Sequence, residues 1–257
     1  MKHFIVTGAS RGLGEAMVRE LMRPENSIFC VSRSLNEPLL EESNKRGIEL
    51  HWVQTDLSTS MSGDAIFEPI VEQIDASGSD GVCLINNAAT LEPLGLVGNA
   101  SPETIERSLH INLVAPMVLT HAFVAHFTGN SFPRTVINVS SGAGSTAMPG
   151  LSTYSTTKAG LNMFTAAAAA DQTNHAEQTP IRFFAVSPGT VDTAMQDALR
   201  GAGASVLPQH ETYVSWKASG SLIDPAEAAR RLLSLLDRTD IPSGSYVHGR
   251  DLAEPAE

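Results

Sequence analysis

Positive charge is scarce in this 257-residue chain: 17 Lys and Arg stand against 28 Asp and Glu, a formal net charge of −11. Neutralising a phosphate backbone needs a basic surface, so a nucleic-acid partner is excluded. An anionic cofactor would have to be held by a few local arginines and by oriented backbone amides. Cysteine is nearly absent too. Cys30 and Cys83 each sit inside an apolar run and belong to no Cys-x-x-Cys or Cys/His pattern, so no metal site is expected and both read as buried small hydrophobes. No uninterrupted apolar stretch approaches the ~18 residues of a membrane span, so no membrane partner is expected. The strand-like His3-Phe4-Ile5-Val6 leaves no room for a signal peptide, and a cytoplasmic location is the expectation.

What is present is alternation. β-branched runs predict strands at 3–7, 27–31, 49–54, 82–85, 134–139, 181–186 and 245–247. Helical patterns fall between them, at 13–22, 38–46, 63–76, 102–127, 153–174 and 225–237. Ser101-Pro102-Glu103-Thr104 and Asp224-Pro225-Ala226-Glu227 each place a cap before a first-turn proline and an acid. Near-continuous apolar strands separated by helices imply a mainly parallel seven-stranded sheet covered on both faces. With right-handed crossovers this is a doubly wound, Rossmann-like α/β fold. Residues 1–250 read as one domain, with no repeat and no linker to divide them. Residues 190–220 form a long Gly/Ala-rich excursion read as a lid over substrate, and 251–257 an acidic tail.

Thr7-Gly8-Ala9-Ser10-Arg11-Gly12-Leu13-Gly14 lies between the first strand and the first helix. Glycines let the backbone bend and approach a pyrophosphate, and the helix N-terminus offers free N–H groups to it. The absence of Gly-Lys-Ser/Thr excludes a P-loop. A tight strand–helix turn without a ligand is the plainer alternative. An acid that would bind the NAD ribose belongs at the end of the second strand. Ser32-Arg33-Ser34 stands there instead, so Arg33 with Arg11 favours the 2′-phosphate of NADPH. Asp56 with Leu57, and Asn86-Asn87-Ala88-Ala89, follow the next strands at the same carboxyl edge. Asp56 either meets an adenine or caps the following helix.

Ser140-Ser141 follows a strand directly, and Tyr154 and Lys158 share a helix face four residues apart. A free tyrosine titrates near ~10, too weakly acidic for neutral-pH work. A lysine ammonium about 4 Å away would contribute ~4 kcal/mol at an effective dielectric near 20, or about three pKa units. That charge is the expected lever on Tyr154.

Taken together, Thr7-Gly8-x-x-x-Gly12-x-Gly14, Asn86-Asn87-Ala88-Ala89, Asn112, Ser141, Tyr154-x-x-x-Lys158 and Pro188-Gly189 resemble the short-chain dehydrogenase/reductase family over essentially the whole chain. Ala89 departs from the family's usual glycine. The resemblance implies that Tyr154 protonates a substrate carbonyl as hydride arrives from a nicotinamide, and that Ser141 orients that oxygen. It implies that Lys158 holds the nicotinamide ribose and acidifies Tyr154, and that Asn112 positions a relay water. Gly8, Ser10, Arg11, Gly12, Leu13, Gly14, Arg33, Asp56, Leu57, Asn87 and Ala88 would then bind the rest of the cofactor. Pro188, Gly189, Val191 and Thr193 would cover its nicotinamide.

Within the family, Leu109-His110-Ile111-Asn112-Leu113, Val139-Ser140-Ser141-Gly142-Ala143 and Val191-Asp192-Thr193-Ala194-Met195-Gln196 are similar to bacterial benzil reductases and, less tightly, to sepiapterin reductases. The latter carry a pterin-pairing acid in the last strand, where His248 stands here. The expected substrate is therefore a bulky apolar ketone or vicinal diketone, with a pterin as the alternative and a non-catalytic nucleotide sensor further behind. Leu91, Met195, Tyr213 and Trp216 are the expected pocket walls, unless Tyr213 and Trp216 pack only within the lid. Family resemblance also implies a homodimer or homotetramer.

Overall fold

In the computed structural model, which describes residues 1–60, 62–75, 77–172 and 180–252, seven strands form one sheet in the order β3-β2-β1-β4-β5-β6-β7, and every pairing is parallel. The strands are β1 Lys2–Thr7, β2 Asn26–Ser32, β3 Glu49–Gln54, β4 Gly81–Asn86, β5 Arg134–Val139, β6 Arg182–Ser187 and β7 Tyr246–His248. Alternation along a strand sends successive side chains to opposite faces. In β1, Phe4 and Val6 join one core while Ile5 joins the other. The first core is covered by α1 (Gly12–Leu21) through Met17, Val18 and Leu21, and by α9 (Pro225–Leu233) through Ala229 and Leu232. The second is covered by α3 (Gly63–Val71) through Ile66, Phe67 and Ile70, and by α5 (Ala115–Phe127) through Leu119, Phe123 and Phe127. Both faces being covered explains why β2, β4 and β5 are buried at every position.

The expected caps form. Ser101 Oγ accepts from the Thr104 amide at 3.4 Å at the start of α4 (Pro102–Leu109), and Asp224 Oδ1 accepts from the Ala226 amide at 2.8 Å ahead of α9. Several expectations need correction. The helix expected at 63–76 ends at Val71, and residue 76 lies outside the described residues. The helix expected at 102–127 is interrupted by a π-helical turn, His110–Val114. The excursion read as a lid folds into α7 (Ala194–Gly201) and α8 (His210–Ala218). Alanine and polar residues there hid the helical period. Finally, Pro102–Phe127 is long and apolar enough to cross a membrane by length and composition, although no single apolar run is. It is a core helix in this fold: 44% of its most apolar window is buried against the sheet and its neighbours. The helix expected at 225–237 also ends early, at Leu233, and passes into a 3₁₀ turn, Ser234–Asp237; the other expected bounds differ by a residue or two at their ends. Those for α2 (Glu37–Arg46) and α6 (Ser152–Gln172) agree closely, and residues 173, 174 and 253–257 are outside the described set.

The strand order reverses between β1 and β4, whose following loops diverge and open a crevice at the carboxyl edge. Close packing at its floor leaves no space for side chains. A Cβ on Gly14 would lie 2.1 Å from the Gly8 carbonyl oxygen and 2.6 Å from Asn87 Nδ2. Gly14→Ala should therefore cost about 1–3 kcal/mol through overpacking, lowering Tm by roughly 3–10 °C in a chain of this size. An unchanged calorimetric Tm would show that the turn is looser than this packing.

Candidate active site

The floor of the crevice is stitched by one hydroxyl. Thr7 Oγ1 accepts from the amides of Asn87 (2.9 Å) and Ala88 (3.0 Å), while Asn87 Nδ2 donates to the Thr7 carbonyl at 2.9 Å. Gly8 and Gly12 take the left-handed backbone, φ +67° and +58°, that sharp reversal of the chain requires. Arg11 occupies the N-cap of α1 in an extended conformation and makes no side-chain cap bond. The first-turn amides of α1 are thus left for another acceptor, the arrangement that binds anionic groups. The segment after β6 folds back over this turn: a Cβ on Gly12 would touch Thr193 Cγ2 at 3.4 Å.

At the outer end of the crevice lies a hollow of about 570 Å³ lined by Ser10, Arg33, Ser34, Leu35, Asn36, Glu37, Pro38 and Gln54. Arg33 is held there by its own backbone, whose carbonyl accepts from Gln54 Nε2 at 2.8 Å. Asn36, absent from the sequence expectations, caps α2 by accepting from the Leu39 amide and donates to the Ser10 carbonyl at 3.1 Å. It thereby ties the hollow to the glycine turn. Arg11 is not among the lining residues. Asp56 does not cap the next helix, which starts only at Gly63. Its Oδ1 accepts from the Ser58 amide at 2.9 Å, and that bond, with the charges of Arg33 and Arg107, holds its carboxyl below the usual range.

At the inner end, α6 carries Tyr154 and Lys158, and the turn after β5 carries Ser141. The Ser141 hydroxyl lies close enough to the Tyr154 phenol to favour its ionised form. Ser141 Oγ accepts from the Ala143 amide at 3.2 Å. Lys158 is fully enclosed: its Nζ donates to the Val139 carbonyl at 2.7 Å and lies 5.8 Å from the centroid of the Tyr154 ring. This geometry corrects the expectation that lysine charge brings the phenol near neutrality. Burial dominates for both groups. It pushes Tyr154 up to about 12 against the opposing Ser141 hydroxyl, and pulls Lys158 down to about 8.

Asn112, buried in the π-helical turn, brackets Thr90: Oδ1 accepts from the Thr90 amide and Nδ2 donates to its carbonyl, both at 2.8 Å, while Nδ2 also reaches the Ser108 and Thr157 hydroxyls at 3.3 Å. Beneath it, Asn86, Asn138, Thr120 and Thr165 form a buried polar network joining β4, β5, α5 and α6. Only Asn112 and the Asn-Asn turn were legible in advance. The threonines of the network read in sequence as ordinary helix residues.

Leu91, Met195, Tyr213 and Trp216 meet in one apolar cluster that also contains Tyr154, so the structure brings all four expected wall residues to the same end of the crevice. Tyr213 is buried and packs edge-on against Trp216, ring centroids 5.5 Å apart. Leu151, Leu199 and Leu207 complete the cluster and were not anticipated. The signal for Leu207 was Gly150, whose φ of +83° and 2.7 Å approach to Leu207 Cδ2 admit no side chain. After α8 the chain returns to pair Ile223 with Val191, and Lys217 Nζ reaches the Asp192 carboxylate at 2.6 Å.

A doubly wound sheet with a glycine-lined crevice, and a tyrosine–lysine pair at one end of it, defines a nicotinamide-dependent oxidoreductase. The chain belongs to the short chain dehydrogenase family, whose model matches residues 2–202. A benzil reductase ((S)-benzoin forming) of Bacillus cereus is 32% identical, over 96% of this chain and 98% of its own. A sepiapterin reductase of Meriones unguiculatus is 29% identical, over 95% and 94% of the two chains. Among solved structures, a short chain dehydrogenase/reductase from Saccharomyces cerevisiae superposes with a TM-score of 0.82 at 26% identity, covering 98% of each chain.

The buried lysine has a measurable signature. It titrates near 8 in the fold rather than near 10.5 in the unfolded chain, so between those values the unfolded chain binds more protons and stability rises with pH. Below pH 8 the full cost of the buried ammonium is present, on the order of 3 kcal/mol. Lys158→Met should raise Tm by several degrees at pH 7, and the gain should shrink towards pH 10.5. A gain independent of pH would mean that packing, not charge, sets it.

Proposed function

We propose that the chain is an NADPH-dependent carbonyl reductase acting on bulky, mostly apolar ketones, with vicinal diketones such as benzil the best-fitting class. The observation that carries this reading is the meeting of Ser141, Tyr154 and Lys158 beneath an apolar cluster at the end of the crevice. The bound nicotinamide supplies hydride. Tyr154 supplies the proton to the carbonyl oxygen, and its burial keeps the phenol protonated at neutral pH, the form a donor needs. Ser141, beside the phenol, orients that oxygen. As the proton leaves, the Ser141 hydroxyl and the charge of Lys158, still mostly protonated at pH 7, stabilise the phenolate. Asn112 has its side chain held by Thr90, Ser108 and Thr157. In this reading Asn112 positions a relay water leading to Lys158.

Arg33 supports NADPH over NADH. It lines the outer hollow where an NAD enzyme would present an acid, and a guanidinium matches a 2′-phosphate bidentately. The apolar walls, rings of Tyr213 and Trp216 included, suit aromatic substrates, and the relatives named benzil reductase favour the same class. Pterin reduction is a second reading, favoured by the sepiapterin reductase relatives. Against it stands His248 in the last strand, where sepiapterin reductases carry an acid.

The decisive experiment is NADPH oxidation by the pure protein against ketones, diketones and pterins. Benzil should be turned over more efficiently than sepiapterin; the reverse order would replace the first reading by the second. Tyr154→Phe keeps the ring and removes the proton, so kcat should fall about 10²–10⁴-fold with cofactor affinity preserved. Retention of most of the turnover would remove Tyr154 from the mechanism. Arg33→Ala should raise the NADPH KM about ten-fold or more, for loss of a charge-assisted bond, and leave NADH nearly unchanged. Equal use of both cofactors by the wild type would contradict the assignment of Arg33.

A further inference from the structure

We propose that Tyr246 is a positioning residue for Ser141, acting through its phenolic hydroxyl from the last strand of the sheet. The hydroxyl donates to the Ser141 carbonyl at 3.1 Å, across β6, which lies between β7 and β5 in the sheet. Tyr246 is only partly buried, and its ring meets that of His248 edge-on at 5.0 Å, which restricts the direction in which the hydroxyl points. Both rings project from the same face of β7, two residues apart.

The contact matters because the only other donor to the Ser141 carbonyl among the described residues, the Gly144 amide at 2.9 Å, belongs to the short turn that Ser141 itself begins. The residue before it is anchored, the Ser140 amide donating to the Val186 carbonyl at 2.7 Å and Ser140 Oγ to Asn162 Oδ1 at 2.5 Å. Beyond Ser141 the chain enters a short 3₁₀ turn, Gly142–Gly144, whose two glycines tolerate many conformations. Ser141 itself is extended, φ −160° and ψ 155°, and its Oγ accepts from the Ala143 amide while lying near the Tyr154 phenol. A peptide free to rotate at this joint would swing Oγ away from the phenol and from any carbonyl oxygen placed beside it. Tyr246 adds to the local Gly144 bond a second donor that comes from a distant strand and so ties the joint to the sheet. A phenylalanine would fill the same volume, so the hydroxyl is the functional part of the residue. The proposal rests on the reductase reading and adds a residue that neither composition nor motif spacing singles out.

A double-mutant cycle with diketone and NADPH tests it. Tyr246→Phe removes one neutral hydrogen bond and should lower kcat about 2- to 10-fold, with the cofactor KM and the Tm close to wild type. Ser141→Ala should lower kcat more. If Tyr246 acts through Ser141, adding Tyr246→Phe to Ser141→Ala should cost nothing further, because the side chain it positions is gone. Losses that multiply in the double variant would assign Tyr246 a merely structural role and overturn the proposal. Wild-type kcat in Tyr246→Phe would overturn it as well. Full turnover in Ser141→Ala alone would instead remove Ser141 from the reaction, a failure of the underlying reading that the cycle separates from failure of the new one.

Discussion

β1 and β4 are neighbours in the sheet yet lead their chains in opposite directions, and everything functional in this molecule follows from that divergence. Two loops that leave adjacent strand ends and part company expose backbone amides that no strand partner can satisfy. Thr7 satisfies two of them with one hydroxyl, and Asn87 returns a bond to the β1 end. Rigidity at the floor lets the glycine turn remain open above it. Without that stitch, left-handed Gly8 and Gly12 would be points of disorder rather than a preformed cradle.

Charge is used sparingly and at a cost to stability. An acidic chain keeps Arg33 in the outer hollow and encloses Lys158 at the inner end, so the crevice holds cationic groups at both extremities of an otherwise anionic molecule. Burial of Lys158 weakens its hold on a proton, and burial of Tyr154 strengthens its own. The two shifts converge on a protonated phenol beside a readily discharged amine, a pair poised for passing protons in one direction. The surrounding threonines and asparagines are bonded mainly to one another, leaving the amine's exchange partners to come from the crevice.

Much of this was legible in residue order because the features involved are local. Glycine spacing, a strand ending in Ser-Ser and a tyrosine four residues before a lysine each declare a backbone shape or a helix face. Strand alternation gave the sheet and its two cores for the same reason. What escaped notice depends on contacts between distant segments. Asn36 reads as a turn residue until its bond to Ser10 is seen, and Tyr246 as an edge-strand aromatic until its hydroxyl reaches Ser141. The sign of the Tyr154 shift was misjudged because four-residue spacing specifies a shared face, not solvent exclusion, and desolvation outweighed the expected Coulomb attraction. α7 and α8 have no boundaries legible in sequence because their apolar residues face a small satellite cluster, too few to impose a clear period.

The excursion that carries α7 and α8 leaves and rejoins the body at one place. Val191 and Ile223 pair as a short parallel bridge, the Asp192 amide donates to the Ile223 carbonyl, and the Ile223 amide donates to that of Thr190. Its two ends are therefore clasped side by side, like the mouth of a purse. Chain between such ends can lengthen, shorten or change composition with only a slowly growing entropic penalty, because the sheet never feels the difference. The enclosing wall is in this sense an exchangeable cassette. A lineage built on this body could explore new substrates by rewriting some thirty residues, with the strands, the glycine turn and the Tyr154–Lys158 pair left untouched.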